Sequence, residues 1–425
     1  MLEIQKIRQE TADVVQRLTD KKVKDAEEKV TQILEADNER REWLIKLEQN
    51  RAEMNKIAKS IGQLMKSGQK EAAEAAKAQT AQIKADIKEY EEKVRLVEEK
   101  TQELLYSLPN LPHSSVPVGD HAEDNETIYQ NDVKVEFSFK PQPHWELAKK
   151  HDIIDWERGV KLTGAGFPVY KGQGARLQRA LITFFLDQAA EAGYTEIQPP
   201  LIINETSGYG TGQLPDKDGQ MYHIGRDGFY LIPTAEVPIT NLFRNEILKA
   251  DQLPQKMCGY TPCFRREAGS YGAHVKGLNR LHQFDKVELV QIVHPEKSYE
   301  VLEQMTSYVE RLLTQLGMPF RRLLLCTGDS SFTSAKTFDL EVFSAAQERW
   351  LEVSSISNFE TYQSNRLKLR FRGEDKKTHL VHTLNGSALA LPRIVASILE
   401  NNQLEDGRIA VPEVLRPYTG FEFIG

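Results

Sequence analysis

Cys263-Phe264-Arg265-Arg266-Glu267-Ala268-Gly269, leading through Arg280 into His282-Gln283-Phe284-Asp285-Lys286-Val287-Glu288, sets fixed charges inside β-type sequence. Successive side chains of a strand face opposite ways, so a strand over 283–293 in a half-covered sheet buries every second residue. Arg265, Glu267 and Glu288 then face water or line a polar site. For any one of them a solvated face is the simpler reading; the rest of the chain favours the site.

Around that stretch lie 425 residues, enough for two or more domains and a substantial core. No apolar run approaches the ~18 residues of a membrane span. The opening Met1-Leu2-Glu3-Ile4-Gln5-Lys6 lacks the apolar core of a signal peptide. A cytoplasmic protein with no membrane partner is expected. Cys258, Cys263 and Cys326 form no CxxC pair and are expected to be reduced. Without an HExxH motif there is no dedicated zinc site, so any metal is a hard cation held by carboxylates and phosphates.

A net charge of −7 excludes a global electrostatic footprint for nucleic acid. Residues 40–70 are the exception. There Arg40, Arg41, Lys46, Arg51, Lys56, Lys59, Lys66 and Lys70 face Glu42, Glu48 and Glu53, a local balance of +5.

From Lys24 to Leu108 there is no proline, the only glycines are Gly62 and Gly68, and Ala, Glu, Lys, Gln and Leu dominate. That is long-helix composition. Ala76, Thr80, Ile83, Ile87, Tyr90, Val94, Val97, Thr101, Leu104 and Leu108 follow heptad steps. So do Val30, Ile33, Leu44, Leu47, Met54, Ala58, Ile61 and Met65, with Asp37, Arg40 and Arg51 interrupting. The pattern predicts two antiparallel helices reversing near Ser67-Gly68, a coiled-coil arm over about 27–105. A dimerisation coiled coil would share this pattern; the basic excess near the reversal favours an arm that reaches a polyanion.

The Pro-, Ser- and Asp-containing stretch 109–143 reads as a linker between an N-terminal domain, 1–108, and a globular domain, 144–425. Helices are expected over 174–193, 295–313 and 388–401. Strands are expected over 195–200, 229–232, 260–266, 283–293, 320–326, 339–343, 351–355 and 380–384. Several strands follow one another without a helical crossover, which argues an α+β fold with an antiparallel sheet flanked by helices. No GxxxxGK[ST] is present, so a bound nucleotide would rely on arginines and a carboxylate-held cation.

Phe264-Arg265-Arg266-Glu267 with Arg280, His282-Gln283-Phe284 and Glu288 resembles motif 2 of the class II aminoacyl-tRNA synthetases, in the form found in the seryl family. Gly193-Tyr194-Thr195-Glu196 through Pro200 resembles motif 1, and Leu384-Asn385-Gly386-Ser387-Ala388-Leu389-Ala390-Leu391-Pro392-Arg393 resembles motif 3. Thr234-Ala235-Glu236 is similar to the serine-binding loop, and Glu352-Val353-Ser354-Ser355-Ile356-Ser357-Asn358 to the ATP and magnesium segment. The hairpin resembles the tRNA-binding arm, so the resemblance spans the chain in order.

What the resemblance implies is ATP-dependent activation of L-serine to seryl-adenylate, with pyrophosphate released, then transfer to tRNA(Ser) and also to tRNA(Sec), with AMP released. It further implies a homodimer built through motif 1. Arg265 would bridge the serine carboxylate and the α-phosphate, a task for a planar, permanently charged fork. Arg393 would act near adenine and the γ-phosphate; these two are the implied catalytic residues. Glu267 would accept from the adenine amino group and Phe284 would stack on the base, with Arg266, Leu281, Val353 and Ser354 completing the ATP site. Glu352 and Ser355 would hold Mg2+. Thr234, Ala235, Glu288 and Ser387 would contact serine, with Glu236 beside the ammonium; which carboxylate reads the hydroxyl stays open here.

Two positions depart from the family pattern. Pro392 precedes Arg393 where a small residue is usual, which a first helical turn accommodates. Lys276 precedes Gly277 where arginine is common, keeping charge without the bidentate fork. Two rival readings share these motifs: an enzyme passing its amino acid to a carrier protein, which the basic arm argues against, and an inactive scaffold, which the presence of Arg265, Glu352, Ser355 and Arg393 argues against.

Overall fold

The computed structural model describes residues 1–267 and 276–425. Ala268 and Gly269 of the opening stretch lie outside the described residues. Two compact units result, Leu2–Pro109 and Asn110–Gly425 together with Met1.

In the first unit, short helices Ile4–Gln9 and Thr11–Asp20 precede α1 (Ala26–Lys66) and α2 (Lys70–Ser107). The reversal falls at Gly68, whose φ of +80° is open to a residue without Cβ. At about 1.5 Å per residue α1 is about 60 Å long. Val30, Ile33 and Leu47 of α1 face Ile83, Val94, Val97 and Thr101 of α2, all buried. Towards the turn the α1 seam differs from the expected one. It runs through the half-buried Met54, Ile57, Ile61 and Leu64, while Ala58 and Met65 are exposed. Arg51 breaks the apolar repeat there, leaving two phases open, and packing against α2 selects one. Arg51 turns out of the seam and pairs with Glu91 at 2.9 Å, as Arg40 does with Glu98 at 2.8 Å. Trp43 stacks near Tyr90 with 5.5 Å between centroids and carries the Lys93 ammonium 4.1 Å from its ring.

The second unit is built on an eight-stranded sheet. Its strands are β1 (Glu126–Gln130), β2 (Thr195–Glu196), β3 (Gln255–Phe264), β4 (Gln283–Val293), β5 (Phe320–Leu324), β6 (Lys336–Ser344), β7 (Arg349–Asn358) and β8 (His382–Ala390). They lie in the order β1-β5-β6-β7-β8-β4-β3-β2. Every neighbouring pair is antiparallel except β3 and β2 at one edge. Among its helices are α3 (Gly172–Glu191), α4 (Glu236–Asn241), α5 (Ser298–Gln315), α6 (Tyr362–Leu367) and α7 (Leu391–Asn401). Leu177, Leu181 and Phe185 of α3, Leu302 and Val309 of α5 and Ile394 and Ile398 of α7 bury the main core against the sheet.

Four expectations are corrected. The stretch 109–143 is no bare linker. β1 within it pairs with β5, and Asn110 is buried, donating from Nδ2 to the Phe359 carbonyl at 2.8 Å. Its irregular composition hid an edge strand whose partner lies nearly two hundred residues away. The strand expected over 229–232 forms as Phe229–Leu231 but joins a small three-stranded sheet with Ile202–Asn204 and His223–Ile224. The helix expected from 388 begins at Leu391, because Ser387 to Ala390 continue β8 against β4. Leu389, fully buried with φ of +73°, sits in the bulge where the register slips, and Pro392 occupies the first helical turn.

The fourth correction concerns the half-covered sheet. β4 is buried on both faces. Val287, Leu289 and Val293 enter the main core, while Val290 and Ile292 on the other face enter a second cluster with Ala235 and Ile239. Lys286 and Glu288 share that second face, one step before the apolar cluster begins, and there the sheet opens into a cleft.

Candidate functional site

The cleft holds about 700 Å³, within the range of small-molecule sites. Its floor is made by β4, β7 and β8. Lys286 and Glu288 come from β4, Asn385 and Ser387 from β8, and Glu352 to Ser355 from β7. Arg265 and Glu267 reach in from the end of β3, Phe284 from the start of β4, and Arg393 from the first turn of α7. Thr234, Glu236 and Leu281 complete the set of expected residues that line it.

Two expected residues do not line it. Ala235 is fully buried in the apolar cluster beside Ile239. Arg266 is exposed outside the cleft, its amide donating to the Gln220 carbonyl at 2.9 Å. Past the end of β3 the side chains alternate, which turns Arg265 and Glu267 into the cleft and Arg266 away from it.

At the acidic end, the Lys286 ammonium is ion-paired with Glu288 and donates to Thr234 Oγ1 at 2.9 Å; both Lys286 and Glu288 are nearly fully buried. Asn385 Nδ2 donates to Glu288 Oε1 at 2.9 Å, and Ser387 Oγ lies 3.5 Å from Glu288 Oε2. Glu236 is also buried, accepting from Gln363 Nε2 of α6 at 2.6 Å. Burial, reinforced by the charge of Glu288, pushes the Glu236 carboxyl up to about 7 against the opposing pull of Gln363, Lys286 and Arg265. Lys286, Asn385 and Gln363 had not been singled out from sequence. Lys286 had a signal, since it shares the strand face of Glu288 two residues on. The other two are brought in by strand pairing and helix packing alone.

Arg265 is set by its own amide donating to the His282 carbonyl at 2.9 Å, and its guanidinium lies 5.2 Å from the Phe284 ring centroid. Its Nε reaches the Pro233 carbonyl at 3.4 Å. Glu267 pairs with Arg280 at 3.0 Å. Arg393 donates from Nη1 to the Glu352 carbonyl at 2.6 Å and from Nε to the Asn279 carbonyl at 3.3 Å.

Glu352 and Ser355 are three apart, a spacing that in a regular strand puts them on opposite faces. Both line the cleft because of a bulge: Leu340 pairs with Ser354 and Glu341 with Glu352, leaving Val353 as the extra residue. Glu352 keeps about half its side-chain surface exposed. No group of three or more His, Cys, Asp or Glu stands ready for a metal among the described residues. One open carboxylate and a hydroxyl fit a magnesium ion that draws its remaining oxygens from phosphates and water, and would not form a protein-only cage.

In the first unit, Lys56, Lys59, Lys66 and Lys70 are exposed near the α1–α2 turn, with no ion-pair partner among the described residues. No helix among the described residues is long and apolar enough to cross a membrane.

An antiparallel sheet carrying a polar cleft, with an arginine beyond one strand and another on the helix after the last, defines a class II tRNA synthetase core. The family model described as tRNA synthetase class II core domain (G, H, P, S and T) matches residues 222–402. A second, described as seryl-tRNA synthetase N-terminal domain, matches residues 1–112. The serine–tRNA ligase of Salinibacter ruber is 53% identical over 426 residues, covering 100% of this chain and 99% of the relative. That of Chlorobaculum parvum is 46% identical with complete coverage of both. A solved seryl-tRNA synthetase from Pyrococcus horikoshii, complexed with ATP, matches with a TM-score of 0.93 at 36% identity, covering 100% of this chain and 99% of its own. The chain belongs to the seryl-tRNA synthetase family of class II enzymes.

Proposed function

We propose that this cleft joins L-serine to ATP and passes the serine to tRNA(Ser). A serine carboxylate oxygen attacks the α-phosphorus and pyrophosphate leaves; a terminal ribose hydroxyl of the tRNA then attacks the acyl carbon and AMP leaves. The carboxylate is already ionised, so the barrier is charge repulsion and alignment, and cations rather than a general base lower it.

The observation that carries the reading is the meeting in one cleft of Glu288 from β4, Glu352 from β7 and Arg265 from just past the end of β3. Arg265 lines the cleft with its guanidinium beside the Phe284 ring and would hold two anions together. Glu288 and Ser387, opposite each other on paired strands, would read the serine hydroxyl, leaving the ammonium to Thr234 and Glu236. Phe284, Leu281, Val353 and Ser354 would face adenine, Glu267 its amino group, and Arg393 the polyphosphate. Glu352 and Ser355 would hold Mg2+, which supplies charge neutralisation at the phosphates. The basic turn of the hairpin would take the tRNA. By family resemblance the working form is a cytoplasmic homodimer that also charges tRNA(Sec).

Serine-dependent exchange of pyrophosphate into ATP tests the first half. Arg265→Ala should abolish exchange, and removing residues 30–104 should spare it while impairing tRNA charging; equal loss of both steps in both variants would overturn this division.

A further inference from the structure

We propose that the buried Glu400–His144 pair is a positioning device for the ATP end of the cleft, acting through Leu278 and Asn279 on Arg393; the inference rests on the reading of the cleft given above. Both side chains are completely buried. His144 opens the short helix His144–Lys150, and Glu400 lies near the end of α7. The His144 amide and its Nδ1 both donate to Glu400 Oε1, at 2.9 and 2.6 Å. Its Nε2 accepts from the Leu278 amide at 2.8 Å, which assigns the ring proton to Nδ1. The segment passes hard against the imidazole: Gly277 has φ of +70°, and a Cβ there would lie 2.1 Å from His144 Nε2.

The same carboxylate grips the next residue by a second route. Glu400 accepts from the Ser344 hydroxyl and from Gln347 Nε2, the latter at 3.0 and 3.2 Å. Gln347 Oε1 accepts from Asn279 Nδ2 and from Arg349 Nε, both at 3.1 Å. The Asn279 carbonyl then holds Arg393 Nε. Burial by itself would raise the Glu400 carboxyl, but the hydrogen bonds it accepts from His144 and from Ser344 outweigh it and hold the group below the usual carboxylate range.

Leu278, Asn279 and Arg393 all line the cleft, whereas Glu400 and His144 do not. The arrangement is not a hydrolytic triad, because the Ser344 hydroxyl bonds the carboxylate and not the imidazole, and all three are buried. Buried polar networks fix geometry more than they add stability. Here the geometry fixed is that of two consecutive cleft-wall residues and, through one of them, a guanidinium.

Full-length His144→Ala, His144→Gln and Gln347→Ala would be compared with the parent in serine-dependent exchange, with active sites counted by adenylate burst. The expected result is a KM for ATP raised about tenfold in His144→Ala and Gln347→Ala, a KM for serine within about twofold, and substantial recovery in His144→Gln, whose amide can donate and accept. An equal rise in both KM values, or a loss confined to the active fraction, would overturn the proposal. Gln347 is half-buried and outside the pair, so Gln347→Ala decides alone if His144→Ala does not fold. A parent protein without exchange would instead sink the reading of the cleft.

Discussion

Glu288 on β4 and Ser387 on β8 stand in register across an antiparallel pair, with 3.5 Å between their side-chain oxygens on the cleft floor. A hydroxyl entering between them meets an acceptor and a donor, and a substrate lacking it leaves both unsatisfied. Ser387→Ala should therefore narrow the preference for serine over alanine in pyrophosphate exchange by about tenfold or more, with the KM for ATP unchanged. An unaltered preference would remove Ser387 from hydroxyl recognition.

Lys286 and Glu288 form a buried ion pair, so removing one partner strands the other. Lys286→Met should cost about 3–5 kcal/mol in urea unfolding, and adding Glu288→Gln should restore much of that, because a neutral amide carries no stranded charge. If the single and double variants unfold alike, the pair contributes nothing specific to the core.

The carboxyl of Glu236 is raised to about 7, against an ordinary value near 4.5. Between those values the folded chain keeps a proton that the unfolded chain has released, so raising the pH through this window favours unfolding. The penalty is absent below the lower value and complete above the upper one, at most about 3 kcal/mol. Glu236→Gln cannot ionise; its melting temperature relative to the parent should rise from pH 5 to pH 8. A difference independent of pH would contradict the assignment.

Four exposed lysines near the hairpin turn supply charge without packing. Replacing Lys56, Lys59, Lys66 and Lys70 by Gln should weaken tRNA binding and flatten its log–log salt slope by about 3, with exchange activity unchanged. A slope equal to the parent's would move the tRNA contact elsewhere.

Much of this protein was legible in one dimension because its signals are local and periodic. The absence of proline from Lys24 to Leu108 and the glycine at position 68 foretold two helices and their turn. The run 283–293 foretold β4 to the residue, since a long β-branched and apolar stretch pairs over its whole length. Arg265 and Glu288 stood out as charges in strands, Glu352 and Arg393 through their resemblance to the family's motifs, and each lines the cleft.

Tertiary structure alone decided the rest. A slip of one residue at Val353 turns Glu352 and Ser355 to the same side, and the slip exists only because β6 fixes the register of β7. β1 looked like linker until a distant strand gave it a partner. Gln363, Asn385 and the Glu400–His144 pair meet their partners across more than ninety residues of chain, and no local pattern encodes such meetings. Composition and periodicity determine which segments are helix or strand, because those preferences act within a few residues. Which polar groups share one cleft depends on register and packing, which only the assembled sheet and its helices establish.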